Sequence, residues 1–152
     1  MPNTQAMTTS FKTELLNAYH NFSATNPART INTADSFKAA LYLASATVNA
    51  GTTVYSATGE VTGTNYTPGG ITITAWNAPT NSGTTAFTTP TASFTYTNVT
   101  LSTAFDAVLI YNNSQGNRAV SVHTFGSQTV TAGTFTLTMP TNSSTLALLR
   151  LA

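Results

Sequence analysis

The chain has 152 residues, five Lys or Arg against four Asp or Glu, a net charge of +1 and no cysteine. This excludes disulfides and thiolate metal sites, and it leaves too little positive charge to neutralise a run of nucleic-acid phosphates or to hold an anionic bilayer. Charged residues are 6% of the chain, against roughly 25% in an average soluble domain, so the surface is built from threonine, serine, asparagine and glycine, with threonine alone roughly a fifth. No nucleic-acid or membrane partner is therefore expected, and the near-neutral charge permits self-association. The length suits one domain that buries roughly two-thirds of its unfolded surface.

Residues 1–10 are polar and read as an N-terminal arm, and Met1-Pro2-Asn3-Thr4-Gln5 has neither the basic start nor the apolar core of a signal peptide. A helix is predicted over residues 11–20, capped by Ser10, with Glu14 in its first turns and Phe11, Leu15, Leu16 and Tyr19 along one stripe. Asn26-Pro27 breaks it, and a loop runs to Asp35. Residues 36–45 (SFKAALYLAS) carry helix-favouring alanine and leucine, but their length and flanks suit a strand. A turn at Asn49-Ala50-Gly51 leads to a short strand ending at Tyr55. Residues 59–70 (GEVTGTNYTPGG), with four glycines and one proline, form a long loop pinned to the body by Tyr66.

Residues 71–76 alternate as a strand, with Ile71 and Ile73 on one face and Trp76 on the other, and residues 79–90 are turn-rich with a reversal at Asn81-Ser82-Gly83. Residues 92–101 alternate again, with Phe94 and Tyr96 on one face and Val99 and Leu101 on the other. The centre of the chain is a β-hairpin. Its arms, residues 106–111 and 118–125, are joined by Asn112-Asn113-Ser114-Gln115-Gly116-Asn117, residue types that tolerate left-handed backbone angles. The first arm, ending at Tyr111, is apolar on both faces, as in a strand covered on both sides. In the second, starting at Arg118, Val120, Val122 and Thr124 take one face and Ala119, Ser121 and His123 the other, one of these core and the other a plainer surface. Residues 126–133 read as a connection, 134–139 as a strand with Phe135, Leu137 and Met139 on one face, and 145–152 as a last strand tied into the sheet. Several short strands with turn signals between them predict an all-β domain over residues 11–152, a β-sandwich of jelly-roll-like connectivity with one short N-terminal helix.

Little in this pattern looks catalytic. His20 and His123 have no metal-site spacing. Asp106 and His123 are expected to face each other across the hairpin, but no serine sits in a Gly-x-Ser-x-Gly elbow. The pair reads as sheet stabilisation worth about 0.2–1 kcal/mol. Glu60 and Asp106 are the one plausible glycosidase pair among Glu14, Asp35, Glu60 and Asp106, yet Glu60 reads more simply as neutralising Arg118 or capping its own loop. Tyr55, Tyr66, Trp76, Tyr96 and Tyr111 would make a sugar-stacking platform, but at strand spacing they read as core. No catalytic, cofactor-binding or metal-ligating residue is assigned.

The segments FKTELLNAYHNF, FKAALY, VYSATGEVTGTNYTPGGITIT, AVLIYNNSQGNRAVSVHTFG, GTFTLTMP and the final LLRLA together resemble a family of small virion proteins encoded beside the head and tail genes of tailed bacteriophages. The resemblance covers most of residues 11–152. It implies a β-sandwich decoration or cement protein, without enzymatic activity or cofactor, made in the host cytoplasm and seated on the outer surface of the capsid. Its partners would be the major capsid protein and itself, as a homotrimer. The arm and the loops 59–70 and 79–90 are expected to touch those partners, through Gly59, Glu60, Tyr66, Pro68 and Asn81, while Asp106, Tyr111, Asn112, Asn117, Arg118 and His123 are expected to build the hairpin. A collar, tail or fibre component, or a host-glycan-binding module, is the alternative.

Overall fold

The computed structural model describes residues 3–16, 19–22 and 34–152. In chain order they form β1 (Ala6–Met7), α1 (Thr9–Leu16), β2 (Phe37–Leu43), β3 (Ile71–Ile73), β4 (Thr80–Ser82), β5 (Thr85–Thr88), β6 (Phe94–Asn112), β7 (Arg118–Leu137) and β8 (Leu149–Leu151). One antiparallel sheet has five strands in the order β1-β7-β6-β2-β3, and a second has three in the order β4-β5-β8. The fold is all-β and sandwich-like with one short helix. The β6–β7 hairpin lies within the five-stranded sheet, with β6 its central strand. The break at Asn26-Pro27 and most of the loop expected up to Asp35 lie outside the described residues.

The central hairpin closes as expected, with Asn112 opposite Arg118, and its turn takes positive φ at Gly116 and Asn117. Its arms are much longer than the alternation suggested. The predicted strands over 92–101 and 106–111 are one 19-residue strand, and the connection read at 126–133 is part of a 20-residue strand. Bulges hide this continuity. Between the pairs Tyr96↔Phe135 and Val99↔Gly133, β6 has one residue more than β7, and Asn98 there adopts φ 56°. One extra residue inverts the alternation beyond it. Val99 and Leu101, each 1% exposed, therefore join Phe94 and Tyr96 in one core instead of facing away. A second shift, between Ile110↔Ser121 and Tyr111↔Ala119, leaves Val120 as the extra residue, so that Ala119 and Val122 share a face.

Both faces of the five-stranded sheet are covered. Ala39, Leu41, Val108 and Ile110 belong to the larger core with Phe11, Phe37 and Phe105, while Ala40, Tyr42, Ala107 and Leu109 face a smaller one completed by Ala46 and Val48. Two-sided burial selects the extended form for the alanine- and leucine-rich β2, because tertiary packing outweighs helix propensity of a few tenths of a kcal/mol per residue. The plainer face expected on the second hairpin arm is absent over residues 119–122, all of which are buried.

The N-terminal arm is the main correction. Ala6 and Met7 pair with Val122 and Ser121, Thr4 N donates to Val48 O (3.0 Å), and the Asn3 amide bridges Val48 N, Leu43 O and Asp106. The arm is an edge strand, held because β7 offers it unpaired backbone groups. Thr8 caps α1, its Oγ1 accepting from Phe11 N (3.3 Å), so Ser10 lies inside the helix and not at its start. The strand predicted over 71–76 stops at Ile73, with Trp76 making only an isolated bridge to Pro90. Residues 80–88 form a hairpin around Gly83 within what read as loop, and the C-terminal strand is limited to Leu149–Leu151 on β5.

Candidate functional site

Loop 59–70 is built around Glu60, which is 6% exposed. Its Oε1 accepts from Tyr66 OH (2.7 Å) and Gly69 N (2.8 Å), and its Oε2 from Tyr55 OH (2.6 Å). Tyr66 OH also accepts from Leu41 N on β2 (3.0 Å), Tyr111 OH donates to Gly69 O (2.7 Å), and the Tyr55 and Tyr111 rings stack at 4.7 Å. Burial, and then the bond to the Glu60 carboxyl, raises the Tyr55 and Tyr66 hydroxyls well above their ordinary range. Burial with Glu60 nearby pushes Tyr111 up to about 12. The hydroxyls therefore stay protonated and remain donors. Chemically this arrangement is a clamp: it fastens a glycine-rich loop to the centre of the sheet.

A second polar cluster joins α1 to the hairpin turn. Glu14 accepts from Arg118 Nη1 (2.7 Å), and its other oxygen lies 2.7 Å from His20 Nε2. Asn112 Nδ2 lies 3.0 Å from His20 Nδ1 and donates to Asp35 Oδ2 (2.8 Å). Because the amide nitrogen donates to Nδ1, the ring proton sits on Nε2, facing Glu14. Arg118 also lies over the Tyr19 ring at 4.4 Å. Asn112 Oδ1 accepts from Ser114 N and Gln115 N, forming the hairpin turn, and Asn117 O accepts from Tyr55 N (2.9 Å).

Several expected contact and pairing residues therefore have other roles. Glu60 and Tyr66 point inward, and Gly59 is half-buried against Ala46, so they do not form an outward contact face; Pro68 and Asn81 are exposed. Glu60 caps its loop, while the partner of Arg118 is Glu14. Asp106 does not meet His123: it accepts from Asn3 Nδ2 (2.6 Å), and the register puts His123 opposite Val108. Glu60 and Asp106 thus sit in separate hydrogen-bond sets. Tyr66, Tyr96 and Tyr111 are buried, and Trp76 packs edge-on against Phe22 and Phe37, so these rings form no open stacking platform. Among the described residues no cluster of three potential metal ligands occurs, and no described helix is long and apolar enough to cross a membrane.

Ser121 Oγ and His123 Nε2, 2.9 Å apart, form a pair that strand alternation alone does not single out, because residues two apart on any strand share a face. Ser121 is 2% exposed, which shuts in the oxygen that would attack a substrate. An open cleft of about 420 Å³, lined by Met7, Phe11, Leu15, Phe22, Phe87 and Leu149, lies between α1 and the three-stranded sheet.

The histidines make folding pH-dependent. Burial lowers His123 to about 4 from 6.5, and burial, partly opposed by Glu14, lowers His20. A folded-state value below the unfolded one means that the unfolded chain binds more protons between the two, so stability is full above pH 6.5 and falls as pH drops toward 4. At pH 5 the expected loss from His123 alone is about 2 kcal/mol relative to pH 7.5. Urea midpoints at the two pH values measure it. A profile equally steep in His123→Gln would assign the effect elsewhere.

No family model, no curated protein and no solved structure matches the chain.

Proposed function

We propose that the protein is a non-enzymatic structural component of a tailed-phage virion, a decoration protein that binds the outside of the major capsid lattice as a homo-oligomer and stabilises the head. The observation that carries this reading, beside the sequence resemblance, is where the charges go. Glu14 holds Arg118, Asp35 holds Asn112, Asp106 holds Asn3, Glu60 is enclosed by tyrosines, and Arg150 donates to Thr145 O. Among the described residues, what faces outward is largely uncharged and rich in hydroxyls and amides, with Arg150 the exposed exception. Such a surface steers nothing by long-range electrostatics, but it makes short-range contacts that add up when repeated over a lattice. Pro68 and Asn81 remain candidates for that contact, whereas Ala6 and Met7 pair within the sheet and Asn3, Thr4 and Thr8 are hydrogen-bonded to the body of the domain.

Purified protein is expected to co-sediment with undecorated heads, to raise their heat resistance, and to stay bound when sodium chloride is raised to about 1 M, where exposed charge pairs are screened within about 3 Å. Failure to bind heads, or release by salt alone, would overturn the reading.

A further inference from the structure

The outer edge of β7 is bare for most of its length. β6 occupies the inner edge throughout, but on the outer side β1 pairs only with Ser121 and Val122, and no described strand covers residues 124–137. At about 3.3 Å per residue this leaves roughly 40 Å of exposed edge. Natural sheets protect such edges with lysine, proline, covering loops or bulges. Here no Lys, Arg, Asp, Glu or Pro occurs between Arg118 and Pro140, and β7 bulges at 125–127, which lie opposite Asp106 alone, and at 131–132, where Ala132 takes φ 45°, so that residues 133–137 are the longest stretch of the edge without a bulge of its own.

Beside this edge, Phe125, Val130, Phe135 and Leu137 are only partly buried against the core, with Phe125 and Phe135 5.4 Å apart and Phe105 5.0 Å from Phe135. A strand added there would gain backbone hydrogen bonds and cover half-exposed rings at once.

We infer that the occupant is the same edge of a second copy, paired antiparallel about a two-fold axis. The argument is charge. The neighbouring part of β6, residues 94–105, is also free of charged side chains, so the ribbon contains nothing to recognise an ionic partner and nothing to repel its own copy. The alternation is self-compatible as well: laid antiparallel on itself about Phe135, the stretch 133–137 sets Phe135 against Phe135 and Thr134 against Thr136. The inference rests on the self-association proposed above and assigns it a two-fold symmetry, in place of the trimer that the sequence resemblance implies.

Light scattering of the full chain tests it. The wild type is expected at twice the chain mass, dissociating on dilution. Thr134→Lys and Thr136→Lys, both at exposed edge positions, are expected to weaken dimerisation at least tenfold while melting as the wild type does when dilute. Thr62→Lys, exposed but off the edge, should leave the dimer intact. A wild type that stays monomeric, or an oligomer indifferent to both edge lysines, overturns the inference. Head binding separates the two proposals: dimers broken by the edge lysines that ignore heads refute only the virion role, and head-binding oligomers unaffected by those lysines refute only the edge.

Discussion

Glu60→Ala is expected to destabilise the fold by about 3–4 kcal/mol, a large part of the stability of a domain this size. The carboxyl group accepts from Tyr66 OH, Gly69 N and Tyr55 OH, and the first two donors are buried. Without it each of those two loses about 1–3 kcal/mol of hydrogen bonding that water cannot replace, while the half-buried Tyr55 can turn to solvent at lower cost. Glu60→Gln should be milder, near 2 kcal/mol, because one oxygen still accepts while the new NH2 opposes a donor. Urea unfolding gives both values, and a spectrophotometric titration should show Tyr55 ionising at lower pH in each variant, since the Glu60 bond contributes to its raised pKa. An alanine variant with an unchanged urea midpoint would mean that the clamp does not hold the loop.

Gly70→Ala is expected to abolish folding at ordinary temperature, at a cost above about 4 kcal/mol. A Cβ at this position would lie 1.9 Å from Ala39 O and 2.6 Å from Ala40 Cα, in the backbone of the buried strand β2, and φ there is +74°. The loop is held in place, because Tyr66 OH accepts from Leu41 N of β2 and Tyr111, on the neighbouring β6, donates to Gly69 O. Gly83→Ala is the control: its φ is +57° but nothing lies within 4 Å of the added carbon, so it should cost only about 1–2 kcal/mol of left-handed strain. Soluble yield and melting temperature distinguish the two. Equal behaviour would show that the close approach at Gly70 has been overestimated.

Those two glycines looked alike in the sequence, each a turn residue in a polar stretch. The difference lies in what the chain elsewhere brings against them. Glu60 is a similar case. Capping of its own loop was a reading available from the sequence, but the donors Tyr55 and Tyr66 come from sites five and six residues away along an irregular path, which no periodicity describes. The contact role expected of Glu60 and Tyr66 failed for the same reason: a loop of glycines can fold its larger side chains inward, and here the sheet supplies partners for them.

Composition and local pattern determined the all-β class, the hairpin at Asn112–Asn117 and the two-sided burial of its first arm, because these depend on neighbours close in sequence: turn residues that accept positive φ and an unbroken apolar run. Only the tertiary structure decided that β6 and β7 are continuous, that Val99 and Leu101 turn into the core, and that residues 6 and 7 complete the sheet. Strand alternation has a period of two, so one inserted residue, at Asn98, reverses every side chain beyond it until another bulge intervenes. Whether that residue is inserted depends on the partner strand about 40 residues away, and whether a polar arm becomes a strand depends on an edge left open more than 100 residues later.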